Sequence, residues 1–93
     1  MVLNKRYLWN KEKNSFLKRV RNISFEQAIC CIEGGFLLDI KKNKKDYPKQ
    51  LVFIVDIKNY VYMIPFLESE TEIFLKTIIP TRKLTKIYLG DKR

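Results

Sequence analysis

Two apolar runs, residues 51–57 and 60–66, are separated only by Lys58-Asn59. Both runs are rich in β-branched and aromatic residues, which suit a pleated, half-buried surface. A two-residue spacer between such runs predicts a tight antiparallel hairpin. The first run is apolar on both faces, with Leu51, Phe53, Val55 and Ile57 alternating with Val52, Ile54 and Asp56. A sheet built on this hairpin has to pack one face on helices. Its other face is either covered by a terminal element or left open for a partner.

The flanking sequence supplies those helices. Tyr7-Leu8-Trp9 reads as a brief edge strand. Asn10 then offers a side-chain acceptor to the first turn of a helix, and Glu12 suits the positive end of its dipole. Phe16, Leu17 and Val20 fall at helical spacing and predict one apolar stripe. Arg21-Asn22 ends the helix, since asparagine tolerates the left-handed conformation. Ser24 and Gln27 have the spacing of a capping box for a second helix. Its inner face is Phe25, Ala28, Ile29 and Ile32, and Gly34-Gly35 closes it.

A strand is expected over 36–40 and another over 73–79, the latter ended by Pro80. Lys41-Lys42-Asn43-Lys44-Lys45 reads as an exposed loop. Thr81 caps a last short helix over 82–89, with Leu84, Ile87 and Tyr88 available for packing. The expected fold is a single α+β domain over 1–93, with two N-terminal helices on an antiparallel sheet of three to four strands and a short C-terminal helix.

The composition narrows the chemistry. With 93 residues there is room for one modest core. There is no histidine, so histidine bases, triads and zinc ligands are excluded. Cys30 and Cys31 are adjacent, a spacing at which a mutual disulfide is strained. They are expected to be reduced, partly buried helix residues, as suits a reducing cytoplasm. No glycine-rich phosphate loop, metal cluster or carboxylate pair is visible, so no cofactor is expected. No apolar run has the length of a membrane span, and the N-terminal residues lack a signal-peptide core. The chain is therefore expected to remain cytoplasmic.

Lysine and arginine total 19 against 10 acids, a formal net charge of +9. The cations cluster in 1–24, in 41–49 and in 76–93, whereas Glu68, Glu70 and Glu72 share one loop. A fold that brings the first helix beside the last strand would merge two basic clusters into a patch for phosphates and bases. The alternative, that the lysines only keep the surface solvated, stays open on charge alone.

Trp9-Asn10, Lys13-Asn14 and Ser24-Phe25-Glu26, with Ala28 following, resemble the opening signature of the BrnT family of ribonuclease toxins. The segment 77–85, Thr-Ile-Ile-Pro-Thr-Arg-Lys-Leu-Thr, followed by Tyr88, is similar to the closing segment of that family. The likeness runs from about Tyr7 to Leu89. It implies a RelE-like α+β fold, RNA cleavage and inhibited translation. It also implies a hetero-oligomeric complex with a cognate antitoxin, usually a ribbon-helix-helix DNA-binding protein. Members typically carry Lys-His-Gly between the first two helices. Here Arg21 holds the histidine position and Asn22 the glycine position, and Pro80 replaces a usual serine.

Metal-independent RNA cleavage proceeds by attack of a 2′-hydroxyl on the neighbouring phosphate. It needs a base, a proton donor for the leaving oxygen and cations for the charge on phosphorus. Arg82 is the expected phosphate clamp, because its planar fork holds two phosphate oxygens. Lys13 and Arg21 are expected to stabilise charge, Lys49 to form a further cationic corner, and Tyr88 to donate the proton. Arg19, Lys76 and Lys83 are expected to assist RNA binding. Trp9 reads either as a core anchor or as a platform for a base. Two rival readings are a binding module that has lost catalysis and only pairs with an antitoxin, and a free-standing nucleic-acid-binding protein.

Overall fold

The computed structural model describes residues 5–42 and 50–90. Its first strand, β1, is Arg6–Trp9, and it leads into helix α1, Lys11–Arg21. The Asn10 side chain accepts from the Lys13 N–H, and Asn22 ends the helix with φ of 56°, the left-handed value expected of that position. Ser24 accepts from the Gln27 N–H and starts α2, Phe25–Cys31. A wider turn, Ile32–Phe36, closes it, with Gly35 at φ of 96°. A side chain at Gly35 would be strained in this conformation.

Strand β2, Leu37–Lys42, then pairs antiparallel with β3, Leu51–Ile57. Strand β3 pairs in full with β4, Tyr60–Glu68. The predicted hairpin is present. Lys58 and Asn59 both take positive φ, 54° and 68°, and Asp56 accepts from the Asn59 N–H. Two successive left-handed residues give the turn whose twist matches the strands it joins.

Three expectations about the sheet are corrected. Among the described residues it has six strands rather than three or four, and it is mixed rather than antiparallel, with order β1-β5-β4-β3-β2 and β6 beside β4. Strand β5, Glu72–Leu75, lies parallel to β1, which sets Arg6 opposite Glu72 and Trp9 opposite Leu75. The strand expected over 73–79 is broken. After Leu75 pairs with Phe66, the chain leaves the ladder and rejoins it as β6, Ile79–Pro80, with Ile79 opposite Met63. Three residues, Lys76 to Ile78, thus face only Ile64 and Pro65, which makes a bulge. Pro65 suits this place. Its carbonyl accepts from the Lys76 N–H at 2.8 Å, and a proline on that side of β4 has no donor to leave unpaired.

The helices cover both sheet faces, and a terminal element lies on the second face, the first of the two alternatives. Leu17, Phe25, Ala28 and Ile32 bury against Phe53, Val55, Ile64 and Phe66. On the opposite face, helix α3, Arg82–Leu89, lays Leu84, Tyr88 and Leu89 on Val52, Ile54 and Val61. The reason is the two-sided apolarity of β3: its second face is covered by the terminal helix. Thr85 fixes that helix to the sheet, its buried hydroxyl accepting from the Val61 N–H at 2.9 Å. The general class is therefore α+β, with three α-helices and a mixed sheet among the described residues.

Smaller expectations are also adjusted. Of the predicted α1 stripe only Leu17 is buried, while Phe16 and Val20 face solvent at 40% and 57% exposure. The inner face instead carries Asn14. Its Oδ1 accepts from the Phe25 N–H and its Nδ2 donates to Glu26, both at 2.8 Å, so one amide ties α1 to α2. Ile87 is exposed rather than packed. Phe36 belongs to the turn before β2 and not to the strand. Lys41 and Lys42 lie in β2 rather than in a loop, and the rest of that predicted loop lies outside the described residues. Cys31 is half-buried, whereas Cys30 is exposed, and both are free thiols. Among the described residues no helix is long and apolar enough to cross a membrane.

Candidate nucleic-acid interface

The bulge before β6 is where basic side chains meet the sheet. Arg21, the last residue of α1, donates from Nη1 to the Ile78 carbonyl at 2.6 Å. An interrupted strand leaves such a carbonyl free, and a cation is a strong donor to it. Next to this contact lies Tyr62, which pairs with Pro80 across the β4–β6 ladder. Burial, and then the neighbouring Tyr60, raise the Tyr62 phenol above its ordinary pKa, whereas the Arg21 charge pulls it down. The Tyr60 and Tyr62 rings meet edge to face, 5.7 Å between centroids. Both residues are half-buried, so each ring keeps an accessible part.

Beyond β6 the chain passes directly into α3. The Thr81 N–H donates to the Val61 carbonyl, and the Thr81 hydroxyl accepts from the Leu84 N–H to cap the helix. Arg82 is its first residue and is exposed, as is Lys83. From Ile78 to Arg82 the chain spans at most ~14 Å. Among the described residues β6 has no strand partner on its outer edge. Arg21 meets the chain just before that strand, at Ile78, and Arg82 follows it by two residues.

The other expected site residues lie elsewhere. Lys13 and Arg19 flank the exposed ring of Phe16 on the outside of α1, at 5.5 and 5.9 Å from its centroid. Eight residues separate Lys13 from Arg21, about 12 Å along the helix axis. Tyr88 is on the opposite face of the sheet, where its hydroxyl donates to Asp39 at 3.0 Å. Burial first, and then the bond and charge of Asp39, raise its pKa. Trp9 stacks on Phe25 with centroids 5.9 Å apart and packs against the main core, the anchor arrangement of its two readings. Lys76 is exposed, and its backbone N–H is bound to Pro65. Lys49 lies outside the described residues. The structure therefore ties Arg21 to Ile78 just before β6, leaves Arg82 exposed two residues after Pro80, pairs Lys13 with Arg19 at Phe16, and sets the sheet between Tyr88 and α1.

Part of the N-terminal positive charge is neutralised. Lys5 bridges to Glu68 at 2.6 Å and Arg6 to Glu72 at 2.7 Å. The acids that cluster in sequence thus hold the start of β1 beside β5. Among the described residues no group of three His, Cys, Asp or Glu side chains gathers as a metal ion requires.

The tyrosine pair was not singled out in the sequence. Its signal was present, because Tyr60 and Tyr62 stand two apart in a strand and so share a face. What no local pattern gives is that α1 ends beside them. The chain matches no family model, no curated protein and no solved structure.

Proposed function

We propose that this chain is the toxin half of a toxin–antitoxin pair. In this reading it is a RelE-like domain that grips RNA at the β6 edge and cleaves it without a metal in the cytoplasm. The observation that carries the reading is the Arg21 guanidinium, held on the Ile78 carbonyl beside Tyr62 and four residues before Arg82. Ile78 takes one guanidinium donor and leaves others for phosphate oxygens. Arg82, exposed at the start of α3, supplies a second planar fork. Tyr60 and Tyr62 offer ring surface for a base, the usual companion of a cationic track on single-stranded RNA.

In the cleavage step the 2′-oxygen attacks phosphorus, loses its proton, and the 5′-oxygen leaves with a proton. The two arginines stabilise the charge that grows on the phosphoryl oxygens. Tyr62, the phenol next to Arg21, takes the proton-exchanging role expected of Tyr88. Arg21 favours its phenolate form, which opposes the effect of burial. The products are a 2′,3′-cyclic phosphate and a 5′-hydroxyl.

A second reading also has a specific observation behind it. Tyr88 is bound to Asp39 on the far face and Lys13 sits at Phe16, so the expected donor and cations are apart. This favours a module that binds RNA or an antitoxin without cleaving. Incubating the full-length chain with single-stranded RNA in a metal chelator separates the two. The first reading expects cleavage that survives the chelator, falls at least tenfold in Arg21→Ala and Arg82→Ala, and persists in Tyr88→Phe. Arg21→Lys guards against a folding defect. RNA binding without cleavage selects the second reading. Cleavage indifferent to both arginines overturns the site.

A further inference from the structure

Helix α3 covers the part of the second sheet face formed by Val52, Ile54 and Val61. Away from it, three large apolar side chains stand in a row across three strands. Leu8 of β1 is opposite Phe74 of β5, and Phe74 is opposite Leu67 of β4. Their neighbours Tyr7, Trp9, Ile73 and Leu75 pack into the core under α1 and α2. By strand alternation the row faces the other way. Its members are 36%, 36% and 42% exposed and adjacent across three strands, a contiguous apolar patch.

The row continues across the rest of the sheet. Pro65, two residues before Leu67 on the same face, is opposite Val52, and Val52 is opposite Lys41 of the edge strand β2. A groove of about 470 Å³ opens there, floored by Val52, Met63 and Pro65 and rimmed by Lys41 and Lys42. The band crosses five strands. At about 4.8 Å per strand spacing it is about 19 Å long, the length of roughly thirteen helical residues.

Charge decides what fits. Among the described residues the groove end of the band is rimmed by two lysines and lined by no acid. At the other end Glu68 and Glu72 are engaged with Lys5 and Arg6. A second copy would bring a further +9 chain, with the same lysines, onto this face. We infer that the band seats an amphipathic helix of a separate, acidic polypeptide. The helix lays leucine-type residues along Pro65, Leu67, Phe74 and Leu8, and its carboxylates reach Lys41 and Lys42. This surface lies on the sheet face opposite Tyr62, so it stands or falls without the RNA reading.

The test uses the full-length chain, isotope-labelled, and three synthetic peptides of about sixteen residues. One has leucines at helical spacing and glutamates elsewhere, one keeps the leucines with lysines elsewhere, and one scrambles the first. The glutamate peptide is expected to bind, with the largest chemical-shift changes at Leu8, Leu67 and Phe74. Phe74→Ser and the double variant Lys41→Glu/Lys42→Glu are each expected to weaken it at least tenfold. The double variant keeps the test decisive if Phe74→Ser does not fold. Equal binding of the lysine or scrambled peptide overturns the proposal, as do shifts confined to α1 or β6. A chain that is already dimeric, and that Leu67→Glu makes monomeric, assigns the band to a second copy and also overturns it.

Discussion

Asn14 is the polar joint on which the placement of α1 depends, and replacing it with alanine tests that directly. The residue is 6% exposed, and its amide serves both the Phe25 N–H and Glu26. In Asn14→Ala the Phe25 N–H stays buried with no acceptor, which costs about 1–3 kcal/mol. The Glu26 carboxylate is exposed, so losing its bond costs less, about 0.5–1 kcal/mol. The sum is about 1.5–4 kcal/mol, or roughly 8–24 °C in Tm for a domain of this size. Urea unfolding should show a lower midpoint at an unchanged slope. The pH dependence gives a second check. The Asn14 bond, as the main cause, holds the Glu26 carboxyl below its usual pKa. That contribution is present above the ordinary carboxylate pKa and is lost as pH falls through the depressed value. The gap between wild type and Asn14→Ala should therefore narrow in acid. A loss under about 0.5 kcal/mol, or a gap that is constant with pH, refutes the reasoning.

Further predictions concern single groups. The Tyr7 hydroxyl is buried without a hydrogen-bond partner. Tyr7→Phe should therefore raise stability by about 1 kcal/mol in urea unfolding, and a loss would show that the hydroxyl is satisfied. The turn at Lys58-Asn59 holds two non-glycine residues at positive φ. Lys58→Asn with Asn59→Gly should add on the order of 1 kcal/mol, read as a rise in Tm; no gain would mean that another turn is used. Tyr88 donates to Asp39 and its pKa is raised. In the folded chain it should keep its proton above the ordinary tyrosine pKa, so its contribution is present below that value and is lost as pH rises through the raised one. Ultraviolet titration of wild type against Tyr88→Phe checks this, and a Tyr88 phenol titrating at the ordinary value contradicts it.

The parts of this fold that were readable in the sequence were local. Asn10, Ser24 and Thr81 announce helix starts because a short polar side chain serves the donors of its own first turn. Asn22 and Asn59 announce reversals because asparagine accepts positive φ more readily than most residues. The parts that were not readable depend on partners far along the chain. Nothing near Arg6 says that it pairs with Glu72. Residues 73–79 look like one strand, and the break after Leu75 follows from how β4 is shared between two partners. Helical spacing placed Phe16 and Val20 on the inner face of α1, yet α2 needs the amide of Asn14 there, and the helix turns accordingly. For the site, residue type pointed to Arg21 and Arg82. The sequence could not show that Arg21 reaches Ile78, that Tyr62 is its neighbour, or that Tyr88 faces away from α1.

The proposed cleavage site requires that Arg21 and Arg82 act on one RNA strand across the open edge of β6. Nuclear magnetic resonance of the arginine Nε–H groups, followed while a short single-stranded RNA is added at moderate salt, tests it most directly. Both signals should move together, with the Tyr60 and Tyr62 rings, along a single binding curve. Shifts centred on Lys13, Phe16 and Arg19 with Arg21 unmoved, or separate curves for Arg21 and Arg82, would contradict it.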